Sequence, residues 1–447
     1  MNSLAEPVMI RAARSLGAME KFFYLLNQSH PNHFAMVGEV SGVTRVEQWQ
    51  DALDLVAHHS PLVWSRVERG SNGAPAFVPV PHGSVPMKVA RVGSTNWTDE
   101  VAAQIAQPFD ELHPPLLRAT LRHGEARSVI VLVVHHSIGD GLSLTSLLGD
   151  LLRAVAGENL MRSGETRALE RLIELKHGAP KLPSSAPVPS DEPMRAPLEM
   201  RRPDGSAPHV EALRLTSTMT RALRERSRAE RTSVQSALIA AFTRAMCFLN
   251  ADAQKEPRVL SPIDLRRRLL DGSDHLAMCA SGVVHADDGP RDAGLWSRAR
   301  HAGQAFADIE STEVLAERVL TAHALLDTVN GTADAKAVFA QAFANDAVVT
   351  NLGVVNLPKR FGPLTLDAVW GPSVSVGVVD EQVIGAATFG GQLHLMHTSY
   401  TPVLGLLDQM VVEITAALTD ENTDENTDES EDESAEAGAE AGADTSE

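Results

Sequence analysis

The sequence has few cysteines, few basic residues and no long apolar run. Its two cysteines, Cys247 and Cys279, are too few for a disulfide framework or for a zinc site built on cysteine pairs. No stretch of eighteen apolar residues occurs, so no integral membrane association is expected. The N-terminal stretch is interrupted by charged residues and lacks the apolar run of a signal peptide. The simplest expectation is a cytoplasmic protein with reduced thiols.

Basic residues are outnumbered by acidic ones: 39 Lys and Arg stand against 58 Asp and Glu, a net charge of −19. Thirteen of the acids lie in residues 419–447, which contain no Lys or Arg, so the other 418 residues carry a net charge of −6. A nucleic-acid-binding surface needs clustered Lys and Arg, so no nucleic-acid partner is expected. The acidic tail repeats TDEN, has almost no apolar mass and is expected to be disordered.

Two shifts in composition divide the chain. Residues 178–209 contain eight prolines, which suit neither helices nor central strands, so this stretch is predicted to be an extended linker. The length predicts two domains of similar size. The predicted boundaries are therefore an N-terminal lobe at 1–177, the linker at 178–209, a C-terminal lobe at 210–418 and the tail at 419–447.

Helices and strands are predicted to mix in both halves of the chain. Leu116–His123 and Ser128–His135 are predicted to be paired strands, and Leu62–Val67 and Val374–Val379 further strands. The apolar spacing after Gly141 predicts a helix. This mixture, without a regular alternation of strand and helix, predicts an α+β fold.

The segment His135–Gly141, with the sequence HHSIGDG, is the most informative motif in the chain. It follows six consecutive apolar residues, a pattern typical of a strand that is covered on both faces. Because successive strand side chains point to opposite faces, one histidine is expected to face a cleft and the other to be structural. Four fixed residues in this pattern occur by chance in about 0.3% of sequences of this length and composition. The alternative is a pair of hydrogen-bonded core histidines followed by Asp140 as a helix N-cap.

Other catalytic and metal-binding motifs are absent from the sequence. There is no HExxH, CxxC or Walker loop, and residues 141–145 lack the last glycine of the G-x-S-x-G motif of serine hydrolases. His394 and His397 are expected on opposite faces of one strand, which makes them poor partners for a metal. No metal site is therefore predicted.

HHxxxDG resembles the signature of the condensation-domain and chloramphenicol-acetyltransferase-like acyltransferase superfamily. Three further landmarks resemble the same superfamily in the same order: PFD with PLLRA at residues 108–119, SPIDLR at 261–266 and TNLG at 350–353. Thr350 departs from the usual serine. Since no carrier or adenylation segment accompanies the motif, the chain most resembles stand-alone polyketide-associated acyltransferases of the phthiocerol dimycocerosyl transferase type.

The resemblance implies two similar chloramphenicol-acetyltransferase-like lobes, each a mixed sheet with flanking helices, and a substrate channel between them. It implies that His136 is the general base, supported by His135, and that Asp140 pairs with Arg266 to shape the loop. From the residues themselves, a bidentate Arg–carboxylate pair would fix that loop, and Gly141 would let the backbone approach the acyl carbonyl. The remaining candidates, for oxyanion or substrate hydrogen bonds, are Thr350 and Asn351; the alternative for both is a turn at a strand end.

The resemblance implies an acyltransferase that moves an acyl group from a thioester to a hydroxyl acceptor and forms an ester. No permanently bound cofactor is expected, because acyl-CoA or a phosphopantetheine-linked acyl group would be the donor substrate. The expected partners are an acyl carrier protein or a polyketide or peptide synthase, and a small-molecule or lipid alcohol as acceptor. Two alternatives stay open: an amide-forming condensation enzyme and a non-catalytic scaffold that binds a carrier.

Overall fold

The computed structural model describes residues 14–70, 74–93, 96–160, 167–177, 199–250, 256–270, 277–286, 290, 293–307, 311–342 and 345–419. Most of the predicted linker and residues 420–447 of the predicted tail lie outside these ranges. The four predicted domain boundaries therefore stay predictions.

Within the described ranges the chain forms fifteen β-strands, twelve α-helices and one 3₁₀ helix. The strands are β1 Arg14–Ser15, β2 His33–Ser41, β3 Ser65–Arg69, β4 Pro75–Pro79, β5 Met87–Arg91, β6 Leu117–His123, β7 Arg127–His135, β8 His209–Arg214, β9 Val259–Asp264, β10 Ala280–His285, β11 Ala347–Val354, β12 Arg360–Phe361, β13 Leu364–Val374, β14 Gln382–Phe389 and β15 Gln392–Ser399. The helices are α1 Ala18–Asn27, α2 Val46–His58, α3 Trp97–Ala106, α4 Gly141–Val155, α5 Leu169–His177, α6 Ser217–Ala229, α7 Val234–Leu249, α8 Arg266–Leu269, α9 Leu295–Ala307, α10 Thr312–Asp327, α11 Thr332–Ala342 and α12 Leu406–Thr419, with the 3₁₀ helix at Pro61–Trp64.

Two six-stranded mixed sheets form the centre of the fold. The first sheet has the order β12-β13-β2-β7-β6-β5, and the second the order β10-β9-β11-β14-β15-β8. Each sheet is mostly antiparallel: β5 runs parallel to β6 in the first, and β11 runs parallel to both β9 and β14 in the second. A small third sheet has the order β1-β4-β3. The predicted α+β class with two mixed sheets and flanking helices is confirmed, while the channel between two lobes stays a prediction.

The strand that carries the motif lies inside the first sheet. Strand β7 pairs with β2 on one side and β6 on the other, which confirms the predicted pairing of β6 with β7. Its apolar run is buried because helix α4 covers one face of the sheet and α3 the other. Helix α4 presents Leu144, Leu148 and Leu151 to the core, and all three side chains are fully buried. The helix therefore holds the loop between β7 and α4 at a fixed position.

The second sheet packs against helices α7, α9 and α12. Small and apolar residues of α7, including Ala237, Ala241 and Phe242, are buried against the sheet and the neighbouring helices. This layer orders β9, which ends at Asp264, and β11, which carries Thr350 near its middle. Both sheets thus bring a strand end toward the same region.

One late segment of the chain crosses from the second half to the first sheet. Strands β12 and β13 follow β11, which belongs to the second sheet, yet β13 pairs antiparallel with β2 from residue 365 to residue 374. Residues 360–374 were expected in the C-terminal lobe by position along the chain. The first sheet therefore combines strands from both halves of the sequence, whereas all six strands of the second sheet lie between residues 209 and 399.

Two of the predicted strands are placed differently in the structure. The predicted strand Leu62–Val67 is divided: Pro61–Trp64 form a 3₁₀ helix begun by the proline, and β3 starts only at Ser65. The predicted strand Val374–Val379 is wrong, because β13 ends at Val374 and the next strand begins at Gln382.

No single helix among the described residues is long and apolar enough to cross a membrane. Helices α6 and α7 reach the required length and apolar composition only together, and they are bent by 103° relative to each other.

Candidate active site

His135 occupies the last position of β7 and points into the core. Its side chain is fully buried. Nδ1 accepts a hydrogen bond from the backbone N–H of Ser137 at 3.1 Å and lies 2.7 Å from the Ser137 hydroxyl oxygen. Nε2 lies 3.5 Å from Glu111 Oε1. Nδ1 is thus hydrogen-bonded and Nε2 lies near a carboxylate, which suits the supporting role predicted for this residue.

His136 turns the other way, as alternation along the strand requires, and lines a cavity. Nδ1 lies 3.1 Å from the carbonyl oxygen of Gly139 and therefore donates to it, which leaves the lone pair on Nε2. The ring of Phe23 stacks on the imidazole at 3.9 Å with an angle of 3° between the planes, and Phe34 contacts it at 4.8 Å. These contacts fix the tautomer and the orientation of the ring.

The surroundings of His136 also determine its charge. Burial lowers the pKa of His136 to about 4, although the nearby Gly139 carbonyl and Asp140 act in the opposite direction. The imidazole is therefore neutral at pH 7 and able to accept a proton at Nε2. No described residue forms a hydrogen bond with that nitrogen.

Asp140 is the N-cap of α4 and joins that helix to the second half of the chain. Oδ1 accepts from the backbone N–H of Ser143 at 3.0 Å, as an N-cap side chain does. Oδ2 accepts from Arg266 Nη1 at 2.8 Å and from the backbone N–H of Cys279 at 2.9 Å. The predicted pairing of Asp140 with Arg266 is present, but it uses one N–H rather than two, because the helix cap occupies the other carboxylate oxygen.

Arg266 connects three segments around this carboxylate. Nη1 also donates to Asp264 Oδ1 at 3.0 Å, and Nη2 donates to the carbonyl oxygen of Ala277 at 2.9 Å. Burial favours the neutral guanidine, but the neighbouring carboxylates, Asp140 first among them, reverse that effect and raise the pKa of Arg266. The guanidinium is a permanent positive charge that holds the motif loop against β9 and the segment before β10.

Gly141, the first residue of α4, stands where a side chain would intrude on its neighbours. A Cβ atom at this position would lie 2.7 Å from Leu352 Cδ2 and 3.1 Å from Pro372 Cγ. Because Leu352 and Pro372 line the same cavity as His136, the glycine lets the helix start approach residues of β11 and β13 closely.

In an assay of the acyl transfer that the motif predicts, replacing Gly141 by alanine is expected to lower kcat/KM and to lower the free energy of unfolding by up to about 2 kcal/mol. The added methyl group must displace Leu352 or Pro372, at a cost of about 1–3 kcal/mol for overpacking, which the better helix propensity of alanine offsets by about 1 kcal/mol. Steady-state kinetics and urea unfolding of the two proteins would measure both effects. Gly303→Ala, where a Cβ meets its nearest neighbour at 3.5 Å, is the matched control within a helix. Unchanged kinetics for Gly141→Ala would contradict a role of this cavity wall.

Thr350 and Asn351 lie in the middle of β11, and both line the cavity. Thr350 is buried and pairs with Gly385 of β14. Asn351 Oδ1 accepts from the backbone N–H of Gly353 at 2.8 Å, and Gly353 has a φ of +69°. The side-chain oxygen of Asn351 is therefore used at an irregularity within β11, where the pairing with β14 shifts register, and not in a turn at a strand end.

The cavity that these residues line has a volume of about 200 Å³ and draws its walls from both sheets. Most of its lining is apolar. The apolar lining residues are Met19, Phe23, Phe34, Leu142, Leu260, Pro262, Ile263, Met278, Ala280, Val348, Leu352, Pro372, Val374, Val376 and Val383. The wall can therefore hold an apolar group beside the free nitrogen of His136.

Glu381 is a polar residue of the cavity wall that the sequence analysis missed. Its side chain is 3% exposed, and Oε2 accepts from the backbone N–H of Val376 at 3.1 Å and from the Ser375 hydroxyl at 3.2 Å. Oε1 is buried and has no hydrogen-bond partner among the described residues. Burial raises the pKa of Glu381 to about 7. Nothing in the sequence marks this residue, because it follows Asp380 in a stretch that reads as an ordinary polar turn.

The pH dependence of kcat/KM should show whether His136 or Glu381 is the base. A histidine base works only when unprotonated, so protonation of His136 should reduce kcat/KM only as the pH falls toward 4, about tenfold for each further unit. Any inflection near pH 7 should come from Glu381 and be absent in Glu381→Gln. The measurement is kcat/KM from pH 4 to 9, with circular dichroism to confirm that the protein stays folded. An inflection near 6.5 that persists in Glu381→Gln would contradict the burial of the His136 ring.

Both the sequence and the structure of the chain were compared with those of known proteins. No model of a known protein family matches the chain. Tyrocidine synthase 3 of Brevibacillus parabrevis is 32% identical over 165 residues, and surfactin synthase subunit 2 of Bacillus subtilis is 29% identical over 155 residues. These matches cover 35% and 32% of this chain but only 2% and 4% of the two synthases. The chain thus spans a small part of the length of these curated relatives.

Three solved structures cover the chain almost completely. Polyketide synthase associated protein 5 from Mycobacterium tuberculosis matches with a TM-score of 0.63 and 16% identity, covering 92% of this chain and 98% of its own. The first condensation domain of the CDA synthetase matches with a TM-score of 0.65 and 15% identity, over 92% and 97%. Trichothecene 15-O-acetyltransferase from Fusarium sporotrichioides matches with a TM-score of 0.63 and 14% identity, over 91% and 95%. The resemblance indicated by HHxxxDG is confirmed, and the chain has the α+β fold of condensation domains and related acyltransferases.

Proposed function

We propose that the protein is an acyltransferase that moves an acyl group from a thioester to a hydroxyl acceptor, with His136 as the general base. The observation that carries the proposal is the free Nε2 of a neutral, rigidly held histidine in a mostly apolar cavity. A base must reach the proton that it removes, and its lone pair must be available at the working pH.

The reaction follows from these atoms. Nε2 of His136 takes the proton of the acceptor hydroxyl as the oxygen attacks the thioester carbonyl carbon. The carbon–sulfur bond then breaks, and the sulfur leaves as a thiol with the proton that Nε2 had taken. The protein supplies no covalent intermediate in this scheme. Its contribution is to position the two substrates and to move one proton.

Asp140 has no free oxygen for proton transfer. Oδ1 caps α4, and Oδ2 accepts from Arg266 and Cys279. We assign it to the geometry of the loop: its bonds to Ser143, Arg266 and Cys279 fix the residue next to Gly139, whose carbonyl in turn orients His136. Asp140 is thus a positioning residue rather than a second base.

The apolar wall suits the acyl chain of the donor, and the donor itself is a coenzyme A or phosphopantetheine thioester. The names of the curated relatives, tyrocidine and surfactin synthases, favour a carrier-bound donor and a synthase as partner. The structural neighbours include an O-acetyltransferase and condensation domains, so an amide-forming reaction with an amine acceptor is the second candidate.

Release of free thiol from a panel of acyl-CoA and acyl-pantetheine thioesters would test the proposal. The panel is run with no acceptor, with short and long alcohols, and with the matching amines. We expect acceptor-dependent release with alcohols, loss of release in His136→Ala, and unchanged release in His113→Gln, whose imidazole is exposed and outside the cavity. Release with amines alone would favour the amide-forming candidate. A folded protein that releases no thiol with any acceptor would favour the non-catalytic scaffold.

A further inference from the structure

Three potential metal ligands meet on one face of the second sheet, at its edge strand β8. His209 and Glu211 are two residues apart on β8 and therefore share a face, and His397 on β15 lies directly opposite Glu211. Each of the three offers one ligand atom, and these atoms lie within 4.8 Å of one another. His209 Nε2 is 3.9 Å from Glu211 Oε2. Small side-chain rotations would bring all three atoms around one ion.

Gln382 determines which nitrogen of His397 carries the proton. The amide nitrogen of Gln382 donates to the carbonyl oxygens of Asp380 and Thr401, both at 2.9 Å, which fixes the orientation of the amide. Its Oε1 accepts from the backbone N–H of Val403 at 3.1 Å and lies 2.9 Å from His397 Nε2. Because Oε1 can only accept, Nε2 must be the protonated nitrogen, and Nδ1 keeps its lone pair.

Nδ1 of His397 has no partner in the part of the chain that the structure describes, although the side chain is fully buried. Strands β14 and β8 flank β15 on opposite sides, and Gln382 belongs to β14. The ring nitrogen turned away from Gln382 is therefore the one on the side of His209 and Glu211. A buried lone pair without a donor is costly, and a cation removes that cost.

We propose that His209, Glu211 and His397 form a binding site for a divalent transition metal, for which zinc is the best chemical fit. Zinc prefers histidine nitrogen and carboxylate oxygen at four-coordinate sites. A ligand histidine ordinarily donates its other N–H to an acceptor that fixes the tautomer, as Gln382 accepts from His397 here. The side chains of His209 and Glu211 are 39% and 35% exposed, which leaves a path for the ion and a fourth position for water.

The proposed site is independent of acyl transfer, since none of its three ligands lines the cavity beside His136. No sequence motif marks the site, because two ligands lie close together on β8 and the third lies far along the chain on the neighbouring strand β15. His397 is a poor partner for His394, as expected from strand alternation, but it is well placed for the neighbouring strand. Bound zinc would tie the edge strand β8 to β15.

Zinc titration of the full-length protein by isothermal calorimetry, after chelator treatment and dialysis, would test the site. We expect one zinc ion per chain with a micromolar or lower Kd, and an increase in Tm on adding zinc. His209→Ala and Glu211→Ala lie at the exposed edge, so both variants should fold, and each should weaken binding by at least about tenfold. His397→Gln should abolish it.

His394→Gln is the matched control for His397→Gln. His394 lies on the same strand but on the opposite face, is fully buried against Trp370, and also has no hydrogen-bond partner at either ring nitrogen within the described residues. Its replacement should leave zinc affinity unchanged. Only millimolar binding by the native protein, or binding that survives both His209→Ala and Glu211→Ala, would overturn the proposal, because the ion would then be held elsewhere.

Discussion

Replacing His136 by alanine is expected to lower kcat by about 10²–10⁴-fold, the usual contribution of a positioned general base. The loss should be in kcat rather than in donor KM, because in the proposed reaction the apolar wall, and not the imidazole, holds the acyl chain. Phe23 and the Gly139 carbonyl hold the ring in the orientation that leaves Nε2 without a hydrogen bond to any described residue. Single-turnover measurements with saturating acyl thioester would isolate the chemical step.

His136→Gln separates the loss of the base from the loss of volume. The amide fills most of the space beside Phe23 but cannot accept a proton at neutral pH, so its kcat should be as low as that of the alanine variant. Unfolding curves in urea should show both variants folded, with His113→Gln as the exposed control. Recovery of more than a tenth of native kcat in the glutamine variant would contradict the role of His136 as the base.

Replacing Asp140 by alanine is expected to destabilise the fold by up to about 3–5 kcal/mol, because the buried Arg266 guanidinium then keeps only Asp264 as a carboxylate partner. Loss of the helix N-cap adds about 1 kcal/mol. The activity should fall as well, since Gly139 and with it His136 lose their support. Urea unfolding gives the first quantity and single-turnover kinetics of the folded fraction the second.

Two further variants show whether the damage comes from the unpaired charge. In Asp140→Ala/Arg266→Met the guanidinium is gone, so the double variant should be no less stable than Asp140→Ala alone. Asp150→Ala, on the same helix, removes an exposed ion pair with Arg153 and should change the free energy of unfolding by less than about 0.5 kcal/mol. If Asp140→Ala unfolds at the same urea concentration as Asp150→Ala, the buried pair has no structural importance.

The strands around the motif could be predicted because their patterns are local. Six consecutive apolar residues before His135 indicate a strand with both faces covered, and the spacing of leucines after Gly141 indicates one helical face. The resemblance of the motif to a superfamily also predicted the pairing of Asp140 with Arg266. The observed pair differs from the predicted bidentate one, because capping of α4 uses the carboxylate oxygen that a second bond from Arg266 would need.

Strand β2 was missed because its sequence contains residues that are unfavourable in strands. Gly38 interrupts the apolar pattern, and the structure shows why it is there: a Cβ at this position would lie 3.1 Å from Leu148 of α4. Glu39 is stabilised by Trp370, whose Nε1 donates at 2.7 Å, and by Arg214 at 3.2 Å. These partners come from distant parts of the chain, so no local pattern could reveal them. Glu381 was missed for the same reason.

The crossing of β13 into the first sheet has a consequence for how the protein is made. Strand β2 ends at Ser41, but its partner β13 begins about 320 residues later. At a synthesis rate of about 5–20 residues per second, β2 waits roughly 15–65 seconds at the ribosome before its second edge can be paired. During that time the backbone N–H and C=O groups along this edge of β2 are unpaired and open to wrong partners, and such distant contacts also slow folding. Cutting the gene between the two halves should therefore yield two insoluble fragments, and chaperone supply during synthesis should affect the yield of active protein.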